Sequence, residues 1–415
     1  VSEGRIGTKP RLLWQADVGV QGYYNNPVVT GGQLIVSSYG THWNQPDDRD
    51  GVYVLDRRDG RVLRHLPTDS DANGVSTDGI RVYAVTDSGK ALAWELSTGR
   101  NLWISEPFVA PDQATPVERL TPQQAYQRGH DDGYKQGWAD GLASLGYMDD
   151  ASGVGANPRL YGAPLVTQQG LLVAGAGGVV RWLDPMTGRV KGGFDGTGKI
   201  RNHSAADGPI ALANAAGEVE VWTDAGERLY AWCTNGDGQC YSEPSAYSSQ
   251  WVYAAPAISG NHIAVAGPYY AERQFALVEA RTGRTLWSYG SNYDAGSFMG
   301  SSKASPAITP QLVLFADAVY ASEGRLMAAD IRTGAVRWSV DQYGGSWSSP
   351  VVVGNKVVWI TASGHLLVLE LRSGKVLADH DLGDRFFATP AVIDGVIYVG
   401  GDSGYLYAVD TGFGR

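Results

Sequence analysis

The hydrophobic pattern of this chain is one of short runs rather than long periodic stretches. Pro27-Val-Val-Thr-Gly-Gly-Gln-Leu-Ile-Val36 reads as an apolar strand, a Gly-Gly turn and a second apolar strand, the signature of a tight hairpin. Counterparts begin near Gly74, Pro164, Pro209, Pro256, Pro306, Pro350 and Pro390, which makes eight. A second series runs in the same phase. Val54-Leu-Asp-Arg-Arg-Asp-Gly60, Ala93-Trp-Glu-Leu-Ser-Thr-Gly99, Trp182-Leu-Asp-Pro-Met-Thr-Gly188, Leu277-Val-Glu-Ala-Arg-Thr-Gly283, Ala328-Ala-Asp-Ile-Arg-Thr-Gly334 and Leu369-Glu-Leu-Arg-Ser-Gly374 each end a strand in an acidic turn with a terminal glycine. A degenerate copy ends at Gly226 and a shortened one at Gly412, again eight in all. Glycine supplies the positive φ of the turn, and the acidic residue bonds local amides. Trp103, Trp287 and Trp338 stand four residues after their glycines, where Arg64, Gly192, Tyr230 and Ala378 replace Trp in other copies.

Self-similarity at about 40 residues is the period of propeller blades. Two series with one count predict an all-β, eight-bladed β-propeller spanning residues 1–415. The last copy lacks a fourth strand, whereas Arg11-Leu-Leu-Trp14 is unpaired and carries the missing Trp. The ring is therefore expected to close between N- and C-terminal strands, which removes an open sheet edge. The Ala-x-Asp-x-x-Thr-Gly-x-x-x-Trp units resemble the tryptophan-docking repeats of the quinoprotein, or PQQ-like, propeller superfamily. That family includes quinone-dependent alcohol dehydrogenases and non-enzymatic scaffolds such as the propeller lipoprotein of the outer-membrane barrel-assembly machine; the chain is nearer the second type. The resemblance speaks for fold and leaves function open.

Intervals between successive turn glycines are 39, 89, 38, 57, 51, 40 and 38 residues. The surplus falls in 105–157, 233–250, 267–273 and 289–304, with smaller additions at 41–50 and 317–324. All belong to connections that emerge on one face of a four-stranded blade, so that face is the expected working surface. Its aromatics, Trp43, Tyr126, Trp138, Tyr269, Tyr270 and Tyr293 among them, are of the kind favoured at interfaces, or else pack the long loops down. Thr121 and Pro122 open a helix over 121–145. On it Gly129, Gly133, Gly137 and Gly141 form a stripe at every fourth residue, beside Tyr126, Tyr134 and Trp138. Such a stripe marks close approach by a partner or a second copy, by the helix's own propeller, or a glycine-rich loop that is not helical.

Composition narrows the function classes. A net charge of −10 with both signs scattered excludes a basic nucleic-acid footprint, and no apolar run reaches the length of a membrane span. Val1 in place of Met points to a removed leader. Cys233 and Cys240 are the only cysteines, too few for a thiolate metal site. They read as a loop-closing disulfide in an oxidising compartment, against the alternative of two unpaired loop thiols. No nucleophile elbow, zincin or phosphate-loop signature occurs.

Inner strands of a ring begin at its axis, which places Tyr24, Asn25, Asn73, Tyr161, His203, Tyr253, Lys303, Trp347 and Phe387 there. The resemblance implies that in a quinone-dependent member Arg201, Lys303 or Arg385 would meet a carboxylate of the quinone, with Trp347 stacked on its plane. The adjacent cysteine pair and the calcium-binding carboxylate set of those enzymes are missing here, so the quinone is not expected. Asp69-Ser-Asp71-Ala-Asn73-Gly74 matches the first half of a calcium loop, but Ile80 stands where a bidentate Glu is needed. A Ca²⁺ site at Asp69, Asp71 and Asn73 therefore competes with a hydrated turn. The expected function is that of a non-catalytic, extracytoplasmic binding or scaffolding module of the cell envelope, engaging a protein partner or itself. A periplasmic quinone-dependent dehydrogenase and a glycan-binding propeller are the alternatives.

Overall fold

A computed structural model describes residues 5–108, 159–175, 177–196, 200–206, 208–236, 240, 251–268, 271–290, 302–320 and 323–413. Within them 32 strands form eight antiparallel four-stranded sheets, an eight-bladed propeller with no helix among the described residues. The first blade shows the common order. From the axis outward it consists of β2 (Val28–Thr30), β3 (Gln33–Tyr39), β4 (Asp50–Asp56) and β5 (Val62–Pro67).

The ring closes as the unpaired first strand implied. In the last blade β1 (Arg11–Asp17) pairs antiparallel with β32 (Tyr405–Asp410), from Arg11 opposite Asp410 to Asp17 opposite Tyr405. Lys9 extends this ladder through its N–H to the Thr411 carbonyl at 2.9 Å.

The core lies between blades rather than within them. One buried cluster joins Leu314, Leu326 and Trp338 of one blade to Val357, Trp359 and Leu367 of the next. Each docking Trp caps its neighbour's turn, and the turn glycine provides the space. Gly188 has φ +69°, and a methyl there would lie 2.5 Å from the Trp103 ring, whose Nε1–H donates to Pro185 at 3.1 Å. Trp338 repeats the contact, donating to the Leu371 carbonyl at 2.9 Å.

Two replacements of the docking Trp differ from one another. Tyr230 does take the docking place, with its ring against Gly283 and its hydroxyl donating to Ala280. Gly192 leaves the place empty, and Phe194, two residues on, fills it against Gly226 and stacks on Trp222 at 4.1 Å.

The surplus at 317–324 lengthens a hairpin, giving β23 (Leu312–Tyr320) nine residues and β24 (Glu323–Asp330) eight. Cys233, at the end of β17 (Arg228–Cys233), is disulfide-bonded to Cys240. The helix expected over 121–145 lies outside the described residues. Among the described residues no helix is long and apolar enough to cross a membrane.

Candidate binding site on the propeller axis

Tyr24, Tyr161, Tyr253, Lys303, Trp347 and Phe387 each stand four residues ahead of an inner strand, those strands starting at Val28, Leu165, Ala257, Ala307, Val351 and Ala391. In six of the eight blades the repeat therefore delivers one side chain to the axis. Bonds between neighbouring blades fix this inner belt. The Asn25 amide donates to the Ala72 carbonyl at 2.9 Å, Asn73 to Leu160 at 2.9 Å, and Asn202 to Tyr253 at 3.1 Å. The circle is joined where the Thr389 N–H donates to Asn26 Oδ1 at 2.7 Å.

Two cations sit among these rings. The Arg201 guanidinium lies 3.6 Å from the Trp251 ring centroid and 4.9 Å from that of Tyr161, and donates to the Tyr161 hydroxyl at 2.8 Å. Only 4% of Arg201 is exposed. The Lys303 ammonium lies 4.2, 4.6 and 4.7 Å from the rings of Trp347, Tyr253 and Tyr23. Desolvated contacts of this kind contribute about 2 kcal/mol, so the faces of Trp251 and Trp347 are already turned to cations of the chain itself. His203 is buried beside them, and burial pushes its imidazole down to about 4. It is neutral at pH 7.

The structure brings together Arg201, Lys303 and Trp347 but corrects the expectation for Arg385. That guanidinium turns to Asp402 at 2.5 Å, on the turn before β32. A carboxylate of the chain occupies it, and the Trp347 face offered for stacking holds Lys303. The residues present do not fit the quinone set that the resemblance implied. Tyr23 and Trp251, absent from the sequence reading, complete the cluster. The signal for Trp251 was its position two residues before Tyr253, matching that of Arg201 before His203.

Asp69, Asp71 and Asn73, the residues of the calcium expectation, have different partners in this structure. Asn73 lies inside β6 (Ala72–Thr77), not in a loop, and its amide donates to Asp87 at 2.5 Å. Asp69 pairs with Lys90 at 2.6 Å, and Asp71 accepts the Asn44 N–H at 2.7 Å. Among the described residues no group of three or more His, Cys, Asp and Glu is placed to hold a metal ion.

On the loop-bearing face, Trp43 is half-buried in the 41–49 connection. Tyr126, Gly129, Gly133, Tyr134, Gly137, Trp138, Gly141, Tyr269, Tyr270 and Tyr293 lie outside the described residues.

The family model described as outer membrane protein assembly factor BamB matches residues 7–126 and 176–415. BamB of Escherichia coli K12 is 26% identical over 134 residues, 32% of this chain and 34% of that protein. BamB of Shewanella oneidensis MR-1 is 21% identical over 276 residues, 65% of each chain. These matches thus span from about a third to just under two thirds of the relatives' lengths. Among solved structures, BamB from Moraxella catarrhalis superposes with a TM-score of 0.65 at 13% identity, covering 97% of this chain and 99% of that one. Quinohemoprotein alcohol dehydrogenase from Comamonas testosteroni gives 0.67 at 15% identity, covering 99% of this chain and 78% of that one. Structural likeness at such identities establishes the fold and does not separate a scaffold from an enzyme.

Proposed function

Because the chain belongs to the family of the outer membrane protein assembly factor BamB, we propose that it is a non-catalytic, extracytoplasmic scaffold that serves outer-membrane protein assembly by binding a protein partner through its loop-bearing face. The observation that carries this reading is the family match, which runs through both ends of the ring. The axial cluster supports it: rings that a planar cofactor would need are engaged with Arg201 and Lys303. Longer connections on one face and tight turns on the other add a working side to a rigid ring.

The test is capture from an envelope fraction with the purified chain as bait, followed by mass spectrometry. Components of the outer-membrane assembly complex are expected in the capture. Trp43→Ala on the loop-bearing face should reduce it severalfold, while Arg58→Ala in a tight turn of the opposite face should not. Equal capture by both variants, or dye-linked alcohol oxidation after addition of the quinone and Ca²⁺, would overturn the proposal.

A further inference from the structure

Charges that are scattered along the sequence are sorted by face in the ring. The turn between the third and fourth strands opens with an acid in seven of the eight blades, and the acid is bent back into its own turn. Asp330 Oδ1 accepts the N–H groups of Arg332 and Thr333, both at 3.0 Å, and Asp184 those of Met186 and Thr187 at 2.8 and 2.9 Å. The cations of the same turns project outward. Arginine or lysine follows the turn glycine in five of the eight copies, as Arg61, Arg100, Arg189, Arg284 and Lys375, and all five are exposed. Arg100 and Arg284 keep 69% and 66% of their side chains in solvent while 3.8 and 3.6 Å from Glu95 and Glu279, and pairs so exposed hold their cations only weakly. In the seventh blade Arg372 and Lys375 flank the glycine against the single acid Glu370, and the fifth blade repeats this with Arg281 and Arg284 against Glu279.

The outer strands reverse sign along their length. β1 runs from Arg11 to Asp17, β13 (Val190–Asp195) follows Arg189 and ends at Asp195, and β29 (Val376–Asp381) follows Lys375 and ends at Asp381. These three carboxylates stand exposed at the loop-bearing end. A net charge of −10 therefore coexists with a cationic turn face. Exposed apolar side chains gather at that face as well. Of twelve large ones among the described residues, ten stand at the turn end of the blades and only Ile104 and Tyr405 at the other. Val62, Val190 and Val336 each lie two residues after a turn glycine, beside the cations, and are 41%, 53% and 48% exposed.

Tight turns make this face flat, and it mixes projecting cations with short apolar groups. That combination suits an anionic bilayer, whose phosphates meet the cations while the apolar groups enter the headgroup boundary. A soluble polyanion would use the cations and leave the valines in water. We infer that the turn face is a peripheral docking surface for an anionic phospholipid bilayer, holding the ring flat on the membrane with its loop-bearing face turned away. The carboxylates at the far end oppose the reverse orientation, and the docking does not depend on which protein the loop-bearing face engages.

Flotation of the purified full chain with lipid vesicles tests this. Binding is expected to phosphatidylcholine vesicles containing about 30% phosphatidylglycerol and not to phosphatidylcholine alone, and it should fall about tenfold or more between about 0.05 and about 0.5 M salt. Arg284→Gln with Lys375→Gln should weaken it by about tenfold or more, since each cation near such a surface contributes about a factor of five. Lys90→Gln with Arg385→Gln, the same charge change at the loop-bearing end, should bind as wild type. Val190→Ser with Val336→Ser should weaken binding severalfold at unchanged charge. Thermal melts of the three variants separate lost docking from lost folding, and the lipid and salt dependence of the wild type stands without them. Equal binding to neutral vesicles, no binding to anionic ones, or an equal loss in the loop-end variant would refute the proposal. So would anionic binding that the valine variant keeps in full, which would assign the cations to a soluble polyanion.

Discussion

At the residue scale, the repeat is an arrangement of rings over glycines. Gly188 serves twice, since its φ of +69° is unfavourable for other residues and its missing side chain is the seat of Trp103. Gly188→Ala therefore combines backbone strain with overpacking and should cost about 2 kcal/mol or more. Trp338→Ala removes a side chain only 8% exposed and should cost about 3 to 5 kcal/mol. Urea melts measure both, and a Gly188→Ala protein as stable as wild type would show that the Trp103 ring gives way freely. The docking Trp was legible because turn and ring are a fixed few residues apart. Phe194 was not, because a ring two residues later reaches the same place only through the path of its own strand.

At the element scale, the blades do not require the segment between β9 (Asn101–Ile104) and β10 (Leu165–Val166), but its two ends belong to the ring. Phe108 packs against the buried cluster between the second and third blades. Arg159 pairs with Asp87, and Tyr161 lies on the axis against Arg201. Replacing residues 109–157 by a short Gly-Ser bridge should leave a folded ring with one cooperative melt. Replacing 105–161 should lower the melting temperature by several degrees, as both anchors are lost. Differential scanning calorimetry distinguishes the two, and equal losses would mean that the ends contribute nothing to the blades. The sequence located this surplus through its interval; its true edges depend on contacts with strands remote in the chain.

Across the whole molecule, two sets of carboxyls oppose one another in pH dependence. In the turns, the Arg58 guanidinium and then its backbone N–H hold Asp56 down to about 2, and Arg337 holds Asp330 well below the usual range. Depressed folded values give stability that is present above about pH 4 and lost as pH falls toward them. Asp50 and Asp71 act in the reverse sense. With values raised to about 6 and about 8, they bind protons in the folded state alone between about pH 4 and those values. Stability therefore falls as pH rises through that window and levels off above it. Melting temperature should peak between about pH 4 and 6, and Asp71→Asn should flatten the descending limb. A plateau from pH 5 to 9 in both proteins would contradict this account.

Blade count, phase and ring closure were determined by the sequence itself, because each rests on local chemistry repeated about every 40 residues: a glycine turn, an acidic cap, and short apolar alternation. The same phase places Tyr24, Lys303 and Trp347 at the axis. Only the tertiary structure decided what those residues meet there. Arg201 lies on Trp251, Lys303 lies between Tyr23 and Trp347, and Arg385 turns away to Asp402. Likewise, Asp69, Asp71 and Asn73 meet Lys90, Asn44 and Asp87 respectively. The physical reason is that burial and partner identity set the state of a charge, and both are supplied by blades distant in the chain, beyond the reach of any repeat.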